Sequence, residues 1–268
     1  MSFYRVLLSS ILIMLSTSLN TARAIENIDY NLIYKINWGG TYLGSATAKW
    51  KMDDTSYQFE GFVKSEGSLS FLYEFEGKNT LTGERVNGTY KPSEFTSESN
   101  YDDEVYKVDM SWPRGIQTPI YTVEPEVKQR EVHPLRKATL RNVVDPYTAM
   151  LLALEDLEKN GLCDGKYRVF DGRRRSELLL KDLGTTILSA EEDGQYAGEA
   201  HICGSASKLL GGHKLDSDYD PDEELDFEKV KIFVGKINGN TLMPVRIEMS
   251  GLLGSISANL DMTTSSFD

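Results

Sequence analysis

Three consecutive arginines, Arg173, Arg174 and Arg175, follow an Asp171-Gly172 turn. On a strand, Arg173 and Arg175 share one face and Arg174 takes the other. Two guanidiniums on one face can grip a carboxylate or phosphate bidentately; the same spacing serves salt bridges to the chain's own acids. A second cluster, Asp216, Asp218, Asp220, Asp222, Glu223, Glu224 and Asp226, has the alternating aspartates of a calcium loop. Pro221 stands where an EF-hand needs glycine, and Phe227 where it needs its terminal glutamate. A solvated loop fits better, and no metal or cofactor is expected. His133, His201 and His213 are scattered without the spacing of zinc ligands or any sign of a triad. With 41 acidic side chains, carboxylate pairs arise by chance, so no catalytic residue is assigned.

Aromatic residues offer different chemistry. Trp38, Phe71, Tyr73 and Phe75 belong to a larger set whose simplest use is cross-strand core packing. If the sheet curves strongly, part of that face becomes an apolar groove. The stretch Ser70 to Phe75, between Gly67 and Gly77, would form its mouth. The candidate ligand-binding set is therefore Trp38, Phe71, Tyr73, Phe75, Arg173 and Arg175. Cys163 and Cys203 are the two cysteines, read as a disulfide if the chain is exported. The competing reading, a reactive or metal-binding thiol, needs a neighbouring base and finds only His201 in sequence.

The element that must position these groups is Asp145 to Gly161, DPYTAMLLALEDLEKNG. Asp145 suits an N-cap and Pro146 the first helical position. Tyr147, Met150, Leu151, Leu154 and Leu157 recur at helical spacing, and Asn160-Gly161 offers a left-handed stop. The helix is expected over about 146–159. Its flanks alternate like strands: Tyr30 to Trp38, Ala46 to Met52, Tyr106 to Trp112, Val230 to Val234, Val245 to Met249 and Ile256 to Met262. Gly39-Gly40, Asp53-Asp54 and Asn238-Gly239 are hairpin turns between them. Pro92 marks a strand end or an edge. Separate strands are expected at 173–180 and 184–191, and an irregular stretch at 207–226. The fold class is mainly β, a highly curved antiparallel sheet or open β-barrel wrapped around one central α-helix.

Residues 1–24 read as a cleaved signal peptide, with Arg5, an apolar run from Val6 to Leu15, and Ala22-Arg23-Ala24 before the cut. Residues 25–268 then form a single β-rich domain whose helix links two β halves. Loss of Arg5 and Arg23 moves the formal charge from −12 to −14, with 27 basic against 41 acidic side chains. Such a chain is repelled by nucleic acid. No window beyond the leader is apolar enough for a transmembrane anchor. Amphipathic strands also suit an outer-membrane barrel, but a buried helix and short turns on both sides argue against one.

DPYTAMLLALEDL and CDGKYRVFDGRRR (Cys163 to Arg175), with YAGEAHIC (Tyr196 to Cys203) and YKINWGGTYLGSATAKW near the N-terminus, resemble the bacterial family of domain of unknown function 3108. Gly211-Gly212-His213 also matches it, whereas the acidic insert that follows departs from it. The resemblance implies an exported, mostly β protein of Gram-negative envelopes and assigns no activity. A looser likeness is to periplasmic curved-sheet proteins such as the lipoprotein carriers. The expected function is a non-enzymatic periplasmic protein that binds an apolar ligand, lipid or lipoprotein, or another envelope protein, and supports envelope integrity. The alternatives are an interaction scaffold without a cavity and a hydrolase of envelope glycans or esters.

Overall fold

The computed structural model describes residues 27–67, 74–101, 104–217, 219–251 and 254–267. The leader, Phe71 and Tyr73 lie outside them. Strands β1 (Ile28–Trp38), β2 (Thr41–Met52), β3 (Ser56–Ser65), β4 (Phe75–Val86), β5 (Thr89–Tyr101), β6 (Glu104–Ser111) and β7 (Ile120–Glu124) form an antiparallel meander. The chain then crosses to helix α1 (Pro146–Asn160). A second meander follows: β8 (Gly165–Phe170), β9 (Arg175–Leu188), β10 (Gly198–Gly211), β11 (Val230–Ile237), β12 (Thr241–Gly251) and β13 (Gly254–Leu260). β13 pairs with β1, so both meanders join in one sheet with β7 and β8 as its edges; β14 (Ser266–Phe267) also pairs with β1.

The apolar face of this sheet turns inward around α1. Trp50, Tyr57, Phe59, Leu81 and Phe95 from the first meander and Phe233, Met243, Val245 and Leu260 from the second belong to one buried cluster with Leu151 of the helix. Tyr147 stacks at a tilt on Phe59, with ring centroids 4.1 Å apart, and burial pushes its hydroxyl up to about 12. The expected single helix is present and runs one residue further than its periodicity showed. Its cap is as the sequence indicates: Asp145 Oδ1 accepts from the amides of Tyr147 and Thr148, both at 2.9 Å. Gly161 ends the helix at φ 71° and donates to the Leu157 carbonyl.

Three strand boundaries differ from expectation: β10 runs to Gly211, paired with β9, inside the stretch expected to be irregular from 207, and the other two differences are bulges. Pro92 lies inside β5, where the register with β4 shifts between Thr82 and Gly83. The bulge accommodates the missing amide without ending the strand. The strands expected at 173–180 and 184–191 are one, β9, continuing through Gly184 at φ 88°. The extra residue there shifts the register opposite His201 and Cys203.

The edges β7 and β8 are not paired with each other, and the crossing segment spans the gap. Val144 donates to the Arg168 carbonyl and accepts from Phe170, while Asn142 donates to the Gln117 carbonyl. Trp112 Nε1 donates to the Val143 carbonyl at 3.0 Å. Gly172 of the β8–β9 turn sits against Val108 so closely that a Cβ would come within 2.2 Å of it. The barrel is thus open in its strand ladder but bridged along the seam.

The C-terminal turn is held by Asp261, which accepts from the Thr263 amide and hydroxyl and pairs with Lys35 Nζ at 2.9 Å. Burial pushes its pKa upward, yet these hydrogen bonds outweigh burial and hold the carboxyl well below the usual range. A folded-state pKa below the unfolded one gives stability that is present above about pH 4 and lost as pH falls. Acid titration followed by circular dichroism should therefore show a steeper loss between roughly pH 4 and pH 2 for the native chain than for Asp261→Asn. Parallel acid limbs would contradict this role.

Candidate ligand-binding site

The helix does not fill the barrel to both ends. Beside its C-terminal half lies a cavity of about 310 Å³. Its wall is mixed: Ile28 opens β1, Met52 closes β2, and Tyr90, Leu242 and Met243 stand near the starts of β5 and β12, while Arg85, Asn240 and Thr241 add polar groups. Leu151 and Leu154 face it from the helix, followed by Glu155, Glu158 and Lys159 toward the rim. Positions 151, 154, 155 and 158 lie on one helical face, so a single stripe passes from apolar to charged. The opposite side is anchored where Leu157 packs with Cys163, Cys203 and Val234. A more open hollow of about 390 Å³, lined by the exposed Asp29, Lys51, Asp53 and Gln58, shares Ile28 and Met52 with the cavity.

Local chain chemistry explains the opening. The two-residue turn Asn87-Gly88 and the three-residue turn Asn238 to Asn240 both carry positive φ at their Asn-Gly pair, and both fall at this end. The helix stops at Gly161, and the chain continues to Cys163, which packs with Leu157. Cys163 and Cys203 are bonded, with Cα atoms 5.3 Å apart, within the range for a disulfide.

Charge at the rim is unevenly paired. Glu155 Oε1 is 2.9 Å from Lys159 Nζ but 3.8 Å from Arg85 Nη2. Arg85 Nε is shielded from solvent and finds no acceptor among the described residues. Its guanidinium lies over the Tyr90 ring, 5.5 Å from the centroid. The Tyr90 hydroxyl is itself pushed up, chiefly by burial.

Of the residues singled out in the sequence, Phe71 and Tyr73 lie outside the described residues and the other four lie elsewhere. Trp38, 40% exposed, and Phe75 sit at the opposite end of the barrel, by the β1–β2 turn and the start of β4. Arg173 and Arg175 both lie near the seam and both engage main-chain oxygens. Arg173 Nη2 donates to the carbonyls of Glu124 and Pro125, and its guanidinium lies over Tyr106. Arg175, only 1% exposed, donates from Nε to the Thr139 carbonyl at 3.0 Å and from Nη1 to Ser176. Burial lowers its pKa. Arg174 pairs with Asp171, as the salt-bridge alternative anticipates for this cluster. Within the acidic loop, Asp220 and Asp226 accept from amides two residues onward. No group of three or more His, Cys, Asp or Glu side chains among the described residues is placed to hold a metal ion.

A family model, "Protein of unknown function (DUF3108)", matches residues 33–261. The chain belongs to the DUF3108 family. This DUF3108 protein is also similar in fold to a solved structure from Brucella abortus, described as a beta-barrel-like protein of domain of unknown function DUF1849. The TM-score is 0.52 at 10% identity, covering 91% of this chain and 99% of that one. That likeness supports the fold, a curved sheet around one helix, and carries no activity. No curated protein sequence matches the chain. Among the described residues, no helix is long and apolar enough to cross a membrane.

The cavity was not visible in the sequence because its walls come from five separate segments. Leu151 and Leu154 were legible as an apolar helical face, but the sequence does not say which apolar helical residues lack a covering strand. Arg85 carries no motif at all. The one available signal was the conversion of that face to Glu155, Glu158 and Lys159.

Proposed function

We propose that this DUF3108 protein is a non-enzymatic, periplasmic envelope protein that holds one apolar molecule, or an acyl chain of a lipid-bearing partner, in the mouth between helix and barrel. The observation that carries the reading is the 310 Å³ recess floored by Ile28, Met52, Leu151, Leu154, Leu242 and Met243. Its volume is at the small end of the range for ligand pockets, and its apolar floor is joined by Asn240, Thr241 and four charged side chains that could orient a ligand. Export is supported by the leader-like first 24 residues and by the disulfide. Ligand carriage outside the cytoplasm is a role that supports envelope integrity without chemistry of its own.

Native mass spectrometry of protein released without detergent, followed by organic extraction, tests this. One small apolar molecule per chain is expected, and it should be lost in Leu154→Trp, where the indole occupies the recess. Protein that carries nothing and fails to bind a hydrophobic dye would leave a scaffold with a solid core as the better account.

A further inference from the structure

We infer that the ligand of this recess is a single-chain amphiphile with a carboxylate head, and that Arg85 is the residue that receives the head. The inference rests on the apolar-ligand reading and adds a chemical class to it. Four charged side chains line the recess: Arg85, Glu155, Glu158 and Lys159. Glu158 and Lys159 are exposed to solvent, while Arg85 and Glu155 are partly enclosed. Lys159 holds Glu155 at 2.9 Å, so the enclosed carboxylate has a close cation already and Arg85 stands 3.8 Å away from it. Arg85 is therefore paired only through the 3.8 Å contact with Glu155, which is beyond hydrogen-bonding distance. Its Nε–H, sealed from solvent and without a protein acceptor among the described residues, is costly unless an acceptor arrives.

The Nε and Nη2 donors of a guanidinium form a planar fork that matches the two oxygens of a carboxylate. A ligand carboxylate on this fork would satisfy Nε and displace only the long Glu155 contact, which lies beyond hydrogen-bonding distance. Tyr90, beneath the guanidinium, fixes its plane. From Arg85 the alkyl chain would run along Leu151 and Leu154 toward Met243. The four charges of the lining balance, so the carboxylate is selected by the geometry of the Arg85 fork rather than by the sign of the local charge.

Isothermal titration with decanoate, decanol and decyltrimethylammonium, each below its aggregation concentration, tests the assignment on the mature chain. Decanoate should bind at least about tenfold more tightly than either other probe, as a charged bidentate contact predicts. Arg85→Met should remove that advantage and leave decanol affinity unchanged, while Arg85→Lys, keeping the charge but not the fork, should fall between. Decanol binding as tightly as decanoate, or a decanoate affinity indifferent to Arg85→Met, overturns the head-group assignment and leaves the apolar recess standing. Failure of all three probes to bind removes the recess reading as well.

Discussion

Replacing both cysteines, Cys163→Ser together with Cys203→Ser, should lower the free energy of unfolding by about 4 kcal/mol, the chain-entropy value for a loop of this size. The bond joins residues 40 apart in sequence, so the reduced denatured chain gains the freedom of a long loop. The native state loses something local as well. Cys163 is the third residue after the helix, and its partner lies on β10, so the bond pins the helix exit to the barrel wall. Leu157 and Val234 pack around it. Removal should therefore raise amide hydrogen exchange in the last turns of α1 more than in β3 or β4. Denaturant titration with and without reductant measures the first effect, and exchange measures the second. An unchanged midpoint in reductant, with the thiols shown to be free, would contradict this role for the bond.

The second large effect is expected at Asp145. Its side chain is fully buried and serves three donors: the amides of Tyr147 and Thr148, and the Thr148 hydroxyl at 2.5 Å from Oδ2. Thr148 in turn shares a hydrogen bond of 2.8 Å with the Tyr57 hydroxyl. Asp145→Ala leaves the start of the helix uncapped inside the barrel and strands these donors, a loss of about 3 kcal/mol. Asp145→Asn should behave differently. Burial raises the carboxyl pKa here, so ionisation is costlier in the folded state than in the unfolded chain. The stability linked to that shift is present below the unfolded pKa and lost as pH rises through the folded one. An amide keeps the cap without that cost, so Asn at this position should match the native chain or exceed it at neutral pH. Thermal unfolding of both variants decides the matter. Equal destabilisation by Ala and Asn would show that the negative charge itself, rather than the cap, is required.

These two sites differ in how far the sequence disclosed them. The cap, the stop at Gly161 and the period of the helix are local, so Asp145, Pro146 and the leucines announced them directly. The strands alternate because one face is buried, and hairpin turns such as Asn238-Gly239 are short-range. That left the fold class readable from the chain alone. Its bulges were not, because Pro92 and Gly184 read as breakers unless the neighbouring strand is known to shift register with them.

The site lay further from view for a related reason. Aromatic density drew attention to Trp38 and Phe75, yet they lie at the other end of the barrel from the recess. Likewise the arginine run looked like a binding motif because of its charge. The seam it occupies, where Arg175 is buried against main-chain carbonyls, is created by the crossing segment and the two edge strands. β8 adjoins the run in sequence, but β7 and the crossing segment that supplies Thr139 do not. What distinguishes Arg85 is an enclosed Nε without an acceptor among the described residues, which no sequence pattern records.

The occupied recess can be watched through methionine methyl groups. Met52 and Met243 line it, whereas Met249 is exposed toward the opposite end of β12. With ¹³C-methyl methionine and decanol as probe, titration should move the Met52 and Met243 signals saturably and leave Met249 in place. Shifts at Met249 without shifts at Met52 and Met243, or a spectrum that does not respond, would contradict a ligand site beside the helix.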